Sequence, residues 1–241
     1  MKALRFFSIA MIATLFFTSC IDEGIRPAGE TTTIDYEFAD FTAINVSDAF
    51  NVEIVQDAID PHVSITIDIN LTQYLDVYVR NNRLYIGLED HIYARGNAVQ
   101  LGTIYIAGPL NDIKASGASQ LIIEETMKIE DLDIELSGAS QLTGVVNVTS
   151  LDVEVSGAST LSLEGKALYY RVDASGASSA RGYELISNHA DIEVSGASSC
   201  MLSVADALSV EASGASNVRY KGDPTILRKE LSGASNLIHI E

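Results

Sequence analysis

Basic residues are scarce in this chain: 15 Lys and Arg stand against 33 Asp and Glu over 241 residues, a formal charge of −18. Phosphate-rich polymers and anionic lipid surfaces need the opposite sign, so neither nucleic-acid binding nor close lipid-head association is expected. Cysteine is scarcer still, with only Cys20 and Cys200. His62, His91, His189 and His239 have no ligand-like spacing to one another or to Cys200, which argues against a zinc site. The one sizeable apolar run, residues 6–17 broken by Ser8 and Thr14, is too short for the roughly 20 residues that span a bilayer. Helical periodicity is missing from the second half of the chain, and so is the regular threonine array that an ice-binding solenoid would need.

That apolar run follows Lys2 and Arg5 and ends in small residues, the pattern of a secretory signal. It closes on Phe17-Thr18-Ser19-Cys20, which resembles a bacterial lipobox, with Phe17 in place of the usual aliphatic residue. The expectation is a lipoprotein signal peptide over residues 1–19 with lipid on Cys20, exported and tethered to the outer membrane, at the cell surface if the Asp22-Glu23 pair is a surface signal. Removing residues 1–19 takes two cations and no acids, so the charge moves from −18 to −20. Residues 20–33, with Gly24, Pro27, Gly29 and three threonines, read as a tether.

Ser-Gly-Ala-Ser occurs seven times, beginning at Ser116, Ser137, Ser156, Ser175, Ser195, Ser213 and Ser232. The intervals run from 18 to 21 residues, the period of a solenoid whose coils stack one on the next. The segments before the tetrapeptides, such as Leu151-Asp152-Val153-Glu154-Val155, alternate apolar and acidic residues, the period of a strand with one buried face. Gly117, Gly138, Gly157, Gly176, Gly196, Gly214 and Gly233 are expected to take turn angles closed to other residues. An apolar slot two residues beyond each tetrapeptide holds Leu121, Leu142, Leu161, Ala180, Cys200, Val218 and Leu237, which makes Cys200 a core residue. The fold expected is all-β: a right-handed parallel β-helix with coils of about 19 residues, each coil being strand, bend, strand and turn. Regular coils cover 116–241, and an irregular, β-rich N-terminal part covers 34–115, the two forming one continuous domain. Within that part Ser47-Asp48-Ala49-Phe50 looks like a degenerate copy of the repeat, and Asn81-Asn82 looks like a tight hairpin turn.

The repeated tetrapeptide after φ-Asp-φ-Glu-φ (φ standing for an apolar residue), with Phe41, Ile44, Val46, Phe50, Val52, Ile54 and Gln56 leading in, resembles the head GIN domain family of putative auto-transporter adhesins. The resemblance covers about residues 34–241. It implies a β-helical fold and a cell-envelope location in Bacteroidetes-type bacteria, and it brings no catalytic residues.

Chemistry is left to the residues beside the repeat. Two places before each tetrapeptide stand Glu135, Glu154, Asp173, Glu193, Glu211 and Glu230, with Lys114 in the first coil. At about 4.8 Å apart, neighbouring charges repel by roughly 0.9 kcal/mol in water, which a sheet tolerates. The column therefore reads as a solvated face or as a ladder of weak calcium sites. Four places before, Asp112, Asp133, Asp152, Arg171, Asp191, Ser209 and Arg228 form a mixed column in which Arg171 would relieve Asp152 and Asp191. An enzyme acting on polysaccharide would draw on Asp152 and Arg171, yet coils of 18 to 21 residues leave little room for groove walls. Tyr169, Tyr170, Tyr183 and Tyr220 offer sugar-stacking rings. The sequence thus points to a non-catalytic adhesin without a cofactor, binding glycan or protein ligands and touching the membrane only through its lipid. The alternatives are an envelope scaffold, whose last coil would pair end to end with a second copy, and a polysaccharide-acting β-helix enzyme.

Overall fold

The computed structural model describes residues 24–38, 41–56 and 58–241. Residues 1–23, which hold the expected signal peptide 1–19 and the lipidation site Cys20, lie outside the described residues. Seventeen strands join in one sheet that winds into a β-solenoid of about 7 turns at a spacing of about 19 residues. A single 3-10 turn, Thr72–Tyr74, is the only helical element among the described residues.

Strand alternation builds the regular coils. β10 (Met127–Leu136), β11 (Gln141–Val155), β12 (Thr160–Ala174), β13 (Ser179–Val194) and β14 (Ser199–Ala212) pair in parallel, each on the next. β15 (Asn217–Lys221) and β16 (Thr225–Leu231) then lie on the two halves of β14, and β17 (Asn236–His239) lies on β15. The coil differs from the expected strand, bend, strand, turn. From β11 to β14 a single strand of 14 to 16 residues runs from one tetrapeptide to the next. The far corner is crossed without a break because its backbone stays paired to the neighbouring coil, as at Val145 with Glu164 and Asn147 with Lys166. Inward residues on each half-coil stack like on like. The slot from Leu121 through Cys200 to Val218 is buried throughout, and burial pushes the Cys200 thiol up to about 12, which leaves it an inert core group.

The tetrapeptides are the remaining corner. Their glycines all sit in the left-handed region, at φ between 69° and 73°. From Ala139 onward each Ala N–H donates to the Gly carbonyl of the coil before at 2.7 Å, so the turns form a hydrogen-bonded column of their own. The second serine of each turn is buried from Ser119 to Ser216. Its hydroxyl bonds mainly to main-chain carbonyls: Ser198 donates to Ala174 O at 3.0 Å and Ser195 O at 2.7 Å, and Ser216 repeats the pattern with Val194 and Ser213. Up the serine column itself, among the described residues, Ser140 and Ser159 approach at 3.4 Å.

The N-terminal part supplies two further coils and a cap. β2 (Ala43–Val46) and β3 (Asn51–Val55) flank the degenerate turn, and they stack in parallel on β8 (Asp112–Ala115) and β9 (Gln120–Ile123). On their other side lie β6 (Arg83–Leu88) and β7 (Gln100–Tyr105), so the later segment sits outside the earlier one in the stack. Asp48 and Ala49 adopt φ of 58° and 65° without glycine. The Asp48 carboxylate secures that turn by accepting from Ser47 Oγ at 2.5 Å and Leu88 N at 3.0 Å. β5 (Leu75–Arg80) closes on β6 through Asn81 and Asn82, both left-handed, in the expected hairpin. β4 (His62–Asp68) lies antiparallel on β7, and β1 (Thr31–Tyr36) antiparallel on β4. The tether is therefore shorter than residues 20–33. From Gly24 the chain is docked: Ile25 bonds Tyr93 and Arg95 main chain, and Gly29 N donates to Asp68 Oδ1 at 2.9 Å.

A methyl group on Gly176 would lie 2.6 Å from Gly157 O while φ stays at 73°. Gly176→Ala is expected to cost about 2–4 kcal/mol in urea denaturation, against about 1 kcal/mol for Ser178→Ala, which loses one hydroxyl bond. Equal costs would show that the turn column does not need glycine.

Candidate functional site

The flank before the tetrapeptides brings the acidic column into register as the repeat implies. Lys114, Glu135, Glu154, Asp173, Glu193, Glu211 and Glu230 are consecutive partners across the parallel ladder, and Asn45 adds a neutral member at the cap end. Asp112, Asp133, Asp152, Arg171, Asp191, Ser209 and Arg228 form the second column in the same way. Counter-charges stand at both ends. Lys114 bonds Glu135, and Arg83 donates to Asp112 at 2.8 Å. At the other end Arg228 reaches Asp191 at 3.0 Å, Glu193 at 3.8 Å and Glu211 at 3.6 Å, passing over the small side chain of Ser209. Arg171 lies between Asp152 and Asp191 in the register but makes no ion pair among the described residues; Arg228 takes over Asp191, and nothing takes over Asp152 among the described residues.

Partial burial raises the Asp133 carboxyl above the usual range, and the negative charges of Asp152, Asp112 and Asp131 add to the rise. Hydrogen bonding to a carboxylate partner raises Lys114 and Arg83 in turn. Among the described residues no three Asp, Glu, His or Cys side chains converge to hold a metal ion, so the column is a line of charges and not a preformed cage.

Beside the acidic columns, toward the far corner, lies an amphipathic patch. Ser150, Tyr169, His189 and Ala207 stand in register, each six residues before its tetrapeptide. The Tyr169 and His189 rings stack with centroids 5.2 Å apart and planes 18° from parallel. They border a shallow pocket of about 220 Å³ that also takes in Ser150, Arg171, Asp191 and Leu227. Tyr169 is 52% exposed and Leu227 69%. Tyr170 points the other way and is buried, so it belongs to the core and not to a binding surface. Tyr183 is covered by the Lys221 ammonium at 4.9 Å, and Tyr220 stacks on His239. His189 is the member of this patch that the sequence reading did not single out, although its offset from Ser195 equals that of Tyr169 from Ser175.

A flat aromatic pair beside a guanidinium, a carboxylate and a hydroxyl can hold the apolar face of a sugar ring while bonding its hydroxyls. Asp152 and Arg171 are ladder neighbours on an open flank.

A family model described as "Putative auto-transporter adhesin, head GIN domain" matches residues 40–224. Among solved structures, a putative adhesin of Bacteroides fragilis NCTC 9343 is similar at a TM-score of 0.79 and 24% identity, over 90% of this chain and 100% of its own. A putative adhesin of Parabacteroides merdae ATCC 43184 gives 0.72 and 19%, over 90% and 99%. A putative lipid binding protein of Parabacteroides distasonis ATCC 8503 gives 0.71 and 16%, over 91% and 100%. At these identities the likeness is one of fold. No curated protein matches the chain.

The raised Asp133 carboxyl has a testable sign. An acid whose folded pKa exceeds its unfolded value of about 3.9 costs stability above both values and costs nothing below them. Asp133→Asn is thus expected to raise Tm at pH 7, with the gain shrinking as pH falls through about 4. A gain that persists at pH 3, or a loss at pH 7, would contradict the charge assignment.

Proposed function

Because the chain belongs to the family of putative auto-transporter adhesins with a head GIN domain, we propose that it is a non-catalytic adhesin of the cell envelope that binds glycans through the Tyr169–His189 patch. Export and lipid attachment at Cys20 follow from the signal-like segment and the lipobox resemblance. The observation that carries the reading is the stacked ring pair opening on a pocket with Arg171 and Asp191 at its edge. Its parts sit on consecutive coils of a rigid ladder, so a ligand meets a surface already in place. The absence of enzymatic activity is supported by the adhesin character of the family and by the open flank on which Asp152 and Arg171 lie.

A glycan-array screen of residues 21–241 is expected to give specific hits. Tyr169→Ala or His189→Ala should weaken each hit about tenfold, roughly the 1.4 kcal/mol of one aromatic contact, with Tm changed little. Array silence would favour an envelope scaffold with no soluble ligand. Turnover of a polysaccharide panel that is lost in Asp152→Asn or Arg171→Gln would reassign the protein to the enzymes.

A further inference from the structure

The flank after the tetrapeptides differs in charge from the one before them. Its outward positions from β11 onward hold mostly hydroxyls and amides, Gln141, Thr143, Thr160, Ser162, Ser179 and Asn217, with the exposed carboxylate of Glu164 farther along β12. On this largely neutral ground stand three cations. Arg181, Met201 and Arg219 are consecutive ladder partners, and Ser203 pairs with Lys221. Two coil steps separate Arg181 from Arg219, about 10 Å, and two residues separate Arg219 from Lys221, about 7 Å.

None of the three has a carboxylate partner among the described residues. Arg181 Nε donates to Ser179 Oγ at 3.3 Å, and the Lys221 ammonium lies over the Tyr183 ring. Glu184 falls in the bulge between Gly182 and Ile186, and Asp223 lies beyond the end of β15; neither forms an ion pair with these cations. On the acidic flank Arg83, Lys114 and Arg228 are paired, and Arg171, unpaired among the described residues, stands between two carboxylates in its column. In a chain with a formal charge of −18, a cluster of unneutralised cations is the part of the surface open to an anion.

We infer that this Arg181–Arg219–Lys221 face binds an anionic polysaccharide, one carrying sulfate or carboxylate groups at intervals along a hydroxyl-rich chain. Guanidinium groups donate bidentately to such oxyanions, and the flanking serines, threonines and amides match sugar hydroxyls. The separation of Arg181 and Arg219 is on the scale of a disaccharide repeat. Duplex DNA carries a charge about every 1.7 Å, and an anionic membrane presents a continuous negative sheet. The net charge of the protein repels both more strongly than a sparsely charged glycan, which engages the three cations while staying clear of the acidic columns on the opposite flank.

The test uses residues 21–241 with chondroitin sulfate as probe and neutral dextran, single-stranded DNA and phosphatidylglycerol vesicles as comparators. Wild-type protein should bind chondroitin sulfate, not dextran, with affinity falling at least tenfold between about 50 and about 200 mM salt. Arg181→Glu with Arg219→Glu should lose at least tenfold, and Arg181→Gln with Arg219→Gln should lose severalfold at an unchanged Tm. Lys166→Glu and Lys128→Glu, which remove cations elsewhere, should stay within twofold. Tyr169→Ala should leave this binding intact, so failure here is separable from failure of the glycan patch. Absence of wild-type binding, equal loss in Lys166→Glu, or tighter binding to DNA or vesicles would overturn the inference.

Discussion

From the second tetrapeptide to the last, each coil is held to the one before at its corner by a repeated contact, the Ala N–H of one tetrapeptide on the Gly carbonyl of the tetrapeptide before it at 2.7 Å. The contact demands a left-handed glycine, because a Cβ there would meet the preceding turn's carbonyl. Once the corners stack, the strand segments next to them are held in register, and like residues fall on like there; the register shifts only farther along, at bulges such as Ser162–Gly165 and Gly182–Ile186. The buried hydroxyls of Ser198 and Ser216 find partners in main-chain carbonyls beside the corner, where an unpaired polar group would be costly; Ser119 Oγ, in the first turn, is buried without one among the described residues.

Strict register makes the surface chemistry columnar. Residues separated by one repeat become neighbours, so a pattern repeated in sequence becomes a stripe, and an irregularity becomes a local site. The acidic columns are the stripes. They are tolerated because they lie on a solvated flank and are neutralised at both ends, by Lys114 and Arg83 near the cap and by Arg228 near the far end. The Tyr169–His189 pair and the Arg181–Arg219–Lys221 cluster are the irregularities. Each comes from residues that break the rule of their column, and that is where recognition of a ligand needs something other than repetition.

The regular coils were legible almost in full. The period, the buried slot through Cys200, the positive-φ glycines and both charge columns follow from aligning the tetrapeptides, and the ladder preserves each of them. The degenerate Ser47–Phe50 turn was legible too, since its flanking alternation matches the repeat. The cap was less so. Nothing local indicates that β6 and β7 slide outside β2 and β3, because antiparallel and parallel pairings use the same alternating strands. The anchoring of residues 24–30 was equally hidden, as it depends on Asp68 and Asn70 some forty residues away.

By itself the sequence determined the solenoid, its period and which residues share a column, since these depend only on spacing and on alternation with a two-residue period. Tertiary structure alone decided which way each side chain is used. It set Tyr170 in the core and Tyr169 on His189, and it gave the bridging role to Arg228 in preference to Arg171. The reason is that a column position fixes neighbours along the stack but not reach across it. Reach depends on the size of what lies between, as the small Ser209 shows by letting Arg228 pass to Asp191.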